Sequence, residues 1–261
     1  MIVAVRIFLV GGVTSFRALF YWLSPWIYIP TMLVAPIFQI LLFAYIGRSA
    51  GLESDEFYLI GNALQYAAIP CLFAMAQMVG GERYQSTLSA ILVSPAPRHF
   101  ALVLLPATLG LATIGLYNLV ATLLWGRFVF GVHLPIAHPL LFGLAIVGTV
   151  LAFGGLGFLF AVSFVRWRAA WVLGNFFEYP VWLICGFLVP LALLPGWVRP
   201  ISWVLAPTWG MNAIRESALG GTPLPDLILC LGLGAAYIAL GVLVTNRVLY
   251  DARDRGSLSL T

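Results

Sequence analysis

Long uncharged stretches separated by short clusters of charge organise this 261-residue chain. Trp26–Gly47, Phe57–Gly81, His99–Gly126, Pro139–Val165 and Leu227–Asn246 carry no ionisable Asp, Glu, Lys or Arg, and Ala169–Val189 carries one, Glu178. The apolar residues run continuously and do not alternate, which points to helices and away from barrel strands. A hydrocarbon core of about 30 Å needs roughly 20 apolar residues per helix. The pattern therefore predicts an all-α integral membrane protein with six spans, at 26–47, 57–79, 100–126, 139–165, 169–189 and 227–246. Backbone groups have no water to bond inside a bilayer, so a continuous helix is the one form these runs can take there.

Two apolar segments fit no span. Residues 1–22 are interrupted by Arg6 and Arg17, eleven positions apart and so on one helical face, with Phe8, Phe16, Phe20 and Trp22 close by. This reads as an amphipathic helix lying in the inner interface. A signal peptide is the rival reading, but no basic region precedes the apolar stretch and no clear small-x-small cleavage site follows it. Residues 190–221 hold Pro190, Pro195, Pro200, Pro207 and Arg199, which forbid one straight spanning helix. A re-entrant hairpin dipping from the outer face is expected, with a plain extracellular loop as the alternative.

Composition supports a membrane protein. Hydrophobic residues make up 62% and charged residues 8%, against roughly a quarter charged in soluble domains. Six spans put both termini on one side. Placing them in the cytoplasm puts nine arginines inside (6, 17, 83, 98, 166, 168, 247, 253 and 255) and four outside (48, 127, 199 and 215). That asymmetry follows the positive-inside rule, so the expected orientation is N-in, C-in. The net charge of +4 then reflects topology, and nucleic acid is not an expected partner. Asp251–Thr261 reads as a short frayed tail, and no internal repeat or soluble domain is evident.

All thirteen basic residues are arginine. Without lysine the chain has neither a phosphate-binding P-loop nor a Schiff-base amine, so any nucleotide hydrolysis belongs to another chain. Cys71, Cys185 and Cys230 sit inside apolar runs and read as packing residues. His133 and His138 flank Pro135 with no nearby acid or thiol, a poor arrangement for a metal. Arg166, Trp167, Arg168 and Trp171 read as interfacial anchors.

The segment Gly80–Phe100, GGERYQSTLSAILVSPAPRHF, stands where two spans need only a turn. Arg83–Val93 has a helical pattern with an apolar patch at Leu88, Ile91 and Leu92, and Ser94-Pro95-Ala96-Pro97 ends it. The residues alone allow an ordinary amphipathic loop helix or a helix built to receive a partner. Glu82, Arg83, Thr87, Leu88, Ile91, Leu92, Ser94 and Pro95 resemble the cytoplasmic-loop pattern E-R-x-x-G-T-L-E-x-L-L-x-[ST]-P of the ABC type-2 transporter permeases. The chain departs from it with Ser86 in place of the usual Gly and Ser89 where Glu is frequent. Gly186-Phe187-Leu188-Val189-Pro190, Leu194-Pro195-Gly196-Trp197, Pro207, Arg215 and Gly220-Gly221 resemble the same family's proline-broken hairpin before the sixth helix. Ser24-Pro25-Trp26 and Val34-Ala35-Pro36 are most similar to its drug- and antibiotic-export branch, the daunorubicin-type efflux permeases.

The resemblance implies a permease subunit without catalytic residues of its own, in the bacterial inner membrane. It would pair with a second permease, identical or different, and dock two cytoplasmic ATPase subunits that bind the ATP and Mg. Residues 82–97 would be the coupling helix, with Glu82, Arg83, Thr87, Leu88, Ser94 and Pro95 at the contact. The cargo expected is a hydrophobic or amphipathic drug-like molecule; export of a lipid or lipid-linked polysaccharide is the alternative. A membrane-embedded transferase is the remote one, since the inner face offers only Glu82, Asp251 and Asp254 for a metal or base. Glu178, the one acid within a span, should face protein or a cavity, because exposing it to lipid costs at least ~2.5 kcal/mol. Two readings stand for it: a pathway residue beside Asn175 and Tyr179, or a structural hydrogen bond to a neighbouring helix or the partner permease. Gly186, Pro190, Pro195, Gly196 and Pro207 would shape the hairpin.

Overall fold

The computed structural model describes residues 24–51, 53–74, 100–164 and 170–255, with single positions at 6, 10, 13 and 17. Eight helices follow along these residues: α1 (Pro25–Ala50), α2 (Asp55–Ala68), α3 (Phe100–Phe128), α4 (Pro139–Phe164), α5 (Ala170–Ile184), α6 (Val198–Trp203), α7 (Ala206–Leu219) and α8 (Pro223–Arg255). A π-helical stretch, Ile69–Ala74, continues α2, and a single 3-10 turn, Leu191–Leu193, precedes α6. No strand occurs among the described residues. Arg6, Val10, Val13 and Arg17 are each helical and exposed, and their spacing places them on one face.

Four stretches are long and apolar enough to cross a membrane unaided: Ile29–Gly47, Gly110–Phe128, Pro139–Val162 and Pro223–Arg247. The other two expected spans correspond to α2 with its π-helical extension and to α5, both of which adjoin residues outside the described set. In α4, 78% of the span is buried, against 12% in α1, so α4 is the central post and α1 a peripheral helix.

Lipid tails are as apolar as leucine, so close packing between helices, rather than apolar burial, holds spans together. Small residues provide that packing here. A Cβ on Gly157 of α4 would overlap the Cys71 carbonyl oxygen, and one on Gly155 would press on the Gly234 carbonyl of α8. Gly148 lies against Leu227 and Leu231, and Gly241 lies against Phe158. The contacts advance together along both chains, so α4 and α8 run parallel. On α2, Leu59 meets Gly126 and Cys71 meets Gly115, so α2 and α3 run antiparallel. Phe153, Phe158 and Phe187 are fully enclosed where these helices meet.

Three boundaries differ from the sequence expectation. Helix α5 ends at Ile184, five residues short of 189, because Gly186 adopts a left-handed φ of 74°. The Gly186 N–H donates to the Leu183 carbonyl (3.2 Å) and the Phe187 N–H to the Trp182 carbonyl (3.2 Å), a Schellman ending. Helix α8 begins at Pro223 and stays helical through Arg255, so the first part of the expected tail is an extension of the last span. Residues 190–221 are mostly helical, in α6 and α7, and α7 is largely buried.

In the π-helical stretch that continues α2, Pro70 has no N–H to offer the Tyr66 carbonyl four residues back. Asn118 of α3 supplies the missing donor: its Nδ2 donates to the Tyr66 carbonyl oxygen at 3.2 Å, with Asn118 fully buried. Proline is commonly accommodated in a span when a neighbouring helix satisfies the freed carbonyl in this way.

Candidate functional site

The segment between α5 and α8 is built on two breakers. Gly186 ends α5, and Pro207, buried at the first turn of α7, starts the return helix at a position where its missing N–H would be orphaned anyway. Pro190 precedes the 3-10 turn, and the Pro195 carbonyl accepts the Val198 N–H (2.9 Å). Gly196 sits in open space.

One end of this segment is fastened to α8. The Tyr237 hydroxyl accepts the Ala206 N–H (3.0 Å) and donates to the Val204 carbonyl. Tyr237 lies fourteen residues into α8, so the fastening sits about 20 Å along that helix from Pro223. Further along α7, Gly210 lies against Thr149 of α4. At its far end, the Ser217 and Ala218 carbonyls accept the N–H groups of His138 (2.9 Å) and Ala137 (3.1 Å), which ties the last turn of α7 to the start of α4. Carbonyls at a helix C-terminus need such partners.

The same segment meets α2 through a cation. The Arg215 guanidinium stands 3.5 Å over the Phe57 ring, and its Nη2 donates to the Phe187 carbonyl oxygen at 3.3 Å. Its Nε is enclosed without an acceptor. That oxygen also faces Gly61, where a Cβ would overlap it, so only glycine lets α2 approach the turn so closely. A guanidinium keeps its charge at neutral pH even when desolvated, so Arg215 meets the Phe57 ring as a cation.

On α5 the predicted trio is divided around the helix. Phe176, Tyr179 and Leu183 form an exposed stripe, while Val181, Trp182 and Cys185 are buried and Glu178 is half-buried on their side. Tyr179 packs edge-on against Trp182 (5.2 Å between centroids), and Phe177 stacks on Phe160 of α4 (5.6 Å). Asn175 is on the same helix, and its side chain lies outside the described set. Glu82, Arg83, Thr87, Leu88, Ser94 and Pro95, with the whole of residues 82–97, also lie outside the described residues.

Several buried polar groups escaped the sequence reading. Asn62 and Gln65, three apart on α2, are fully buried, each with its amide oxygen unpartnered. Their spacing inside an otherwise apolar run was the available signal. Tyr237 and Asn118 gave none, since their partners are distant in sequence. Cys71, Cys185 and Cys230 are buried free thiols. The His133 Nδ1 lies 2.7 Å from the Gly131 carbonyl oxygen, and the described residues hold no group of three metal-ligating side chains.

The model of the ABC-2 type transporter family matches residues 13–219. The chain belongs to that family. The match takes in the Gly80–Phe100 segment and the returning helix α7, and it ends at the last residue of α7. An ABC-2 type transporter permease is the membrane component of an ABC transporter, a transport subunit that works with an ATPase subunit and is not itself catalytic. No curated relative matches the chain.

Proposed function

We propose that this ABC-2 permease forms half of an ATP-driven export pathway for a hydrophobic or amphipathic, drug-like molecule. A second permease copy or a heterologous permease supplies the other half, and two cytoplasmic ATPase subunits bind ATP and Mg. The termini face the cytoplasm of a bacterial inner membrane, and residues 190–221 re-enter the membrane from the outer side. The observation that carries the reading is the family match across 13–219. Depth supports the re-entrant reading: Val204 and Ala206 bond to Tyr237, fourteen residues into a helix that starts beside the end of α7.

Residues 82–97 are proposed as the coupling helix, with Glu82 making the polar contact that transmits ATPase closure to the spans. Glu178, on the protein-facing side of α5, is proposed as a polar contact for cargo, and Tyr179 belongs to the outward stripe that a second permease or lipid would cover. A bistable membrane half biased by its ATPase is sufficient for alternating access.

Purification of the tagged chain in mild detergent tests the proposal. An ATPase subunit should co-purify in stoichiometric amount, and its hydrolysis rate should respond to hydrophobic dyes reconstituted with the complex. A chain that purifies alone under conditions that preserve its fold would defeat the reading. ATPase stimulation by a lipid-linked saccharide and not by dyes would move the cargo to the lipid class.

A further inference from the structure

The bundle divides into two blocks at the seam where the returning helix meets α2. In one block α7 is held to α4 and α8 by uncharged contacts: the Tyr237 hydroxyl bridging Val204 and Ala206, Gly210 against Thr149, and the Ala137 and His138 N–H groups on the last turn of α7. In the other, α2 is held to α1 and α3 by Tyr58 against Gly47, Leu59 against Gly126 and Asn118 on the Tyr66 carbonyl. The blocks pack on one another along α3 and α4, where Val150 lies against Gly115, and α2 meets the other block at two levels. Near one end of α2, Gly157 of α4 sits directly on the Cys71 backbone. Near the other, the contact is Phe57 with Arg215, and Gly61 with the Phe187 carbonyl that Arg215 also holds.

These two contacts differ in kind. The Gly157 contact is backbone against backbone with no charge, and wetting it would expose apolar surface for no return. The Arg215 contact holds a desolvated guanidinium whose Nε lacks an acceptor. Taking a charge out of water is costly, so water entering here returns part of that cost as it displaces the Phe57 ring. A contact of that type can open and reclose, whereas the Gly157 contact acts as the pivot. We infer that Arg215 is a positioning residue that pins the returning segment shut against α2, and that the outer face opens by parting at this pin while the Cys71–Gly157 contact stays closed. The word outer rests on the orientation proposed above; the pin itself does not.

The native cysteines report on both levels. Cys185 lies two residues before Phe187 and Cys71 lies at the pivot, and both are buried. The full chain is reconstituted in lipid vesicles in two forms, one keeping Cys185 alone and one keeping Cys71 alone, the other cysteines being replaced by serine. Each is exposed to a membrane-impermeant maleimide on either side. A desolvated cation–π contact with its hydrogen bond is strong enough that its loss should shift the opening equilibrium more than tenfold. Arg215→Ala should therefore raise the labelling rate of Cys185 at least tenfold and leave Cys71 unchanged. Arg215→Lys, which keeps a cation over the ring, should remain near the parent. Phe57→Leu, which keeps a packed apolar side chain, should raise Cys185 labelling several-fold with the fold intact.

Cys185 labelling as slow in Arg215→Ala and Phe57→Leu as in the parent would overturn the pin. So would a parallel rise at Cys71, which would mean that the whole bundle had loosened. Selective labelling of Cys185 from the side of the termini would support the pin and overturn the six-span topology that places it opposite them, so the two readings fail separately.

Discussion

Replacing Asn118 by leucine tests whether the side-chain donor really substitutes for the N–H missing at Pro70. Asn118 is fully buried and its Nδ2 donates to the Tyr66 carbonyl at 3.2 Å. Leucine is nearly isosteric, so little cavity or strain is introduced, and the change strands a buried carbonyl at a cost of about 1–3 kcal/mol. Removing the buried amide returns part of that, and hydrogen bonds between spans average nearer 0.6 kcal/mol. The expected net destabilisation is therefore about 1–2 kcal/mol. The informative measurement is the double-mutant cycle with Pro70→Ala, which restores a backbone donor four residues after Tyr66. Once alanine can serve the carbonyl, Asn118→Leu should become nearly neutral, giving a coupling of about 1 kcal/mol or more. Unfolding of the purified chain in mixed micelles with rising denaturing detergent, followed by helical signal, supplies the four free energies. Additive effects, with a coupling under about 0.3 kcal/mol, would refute the substitution argument.

Four further outcomes can be checked together. Tyr237→Phe should destabilise by about 1–3 kcal/mol in the same assay, because the Ala206 N–H loses its acceptor in a fully buried position; an unchanged midpoint would contradict the fastening described for α7. Gly157→Ala should lower stability by at least about 1–3 kcal/mol through overlap with the Cys71 backbone, whereas Gly143→Ala, with open space around it, should be neutral or slightly stabilising. Glu82→Ala should leave the permease folded and embedded but reduce dye-stimulated ATP hydrolysis in the reconstituted complex, and full retention of both assembly and stimulation would remove Glu82 from the coupling scheme. Glu178→Gln should weaken transport of cationic dyes more than neutral ones, and equal transport of both would favour a structural hydrogen bond for this residue.

Much of the helical plan was legible because an apolar run bounded by charge or proline leaves the backbone few choices. The span expected at 139–165 is helix α4, Pro139–Phe164, and the span expected at 100–126 is α3, Phe100–Phe128. The end of α5 was less legible, since Cys185–Val189 is as apolar as what precedes it and only Gly186, through its left-handed φ, stops the helix. The extension of α8 to Arg255 was missed because charged residues outside an apolar run read as a tail, whereas a helix already nucleated over twenty residues continues at little cost. Arg215 entered the sequence reading as one outward charge among four and as a member of the hairpin pattern, without a partner. Its enclosure over Phe57 depends on residues more than 150 positions apart, which no local pattern carries. The Asn118–Tyr66 bond is invisible for the same reason, although Pro70 did announce that some carbonyl would need a partner.

The π-helical stretch Ile69–Ala74 has a consequence for how its own side chains are aimed. A π turn winds one more residue into the coil than an α turn does, and each α-helical residue accounts for about 100° of rotation. The stretch thus sets the compass bearing of the side chains that follow α2 up to Ala74, Cys71 among them. A change that let this stretch relax to ordinary α winding would leave the contacts of α2 before it in place and still swing the side chains at its far end through roughly a quarter turn.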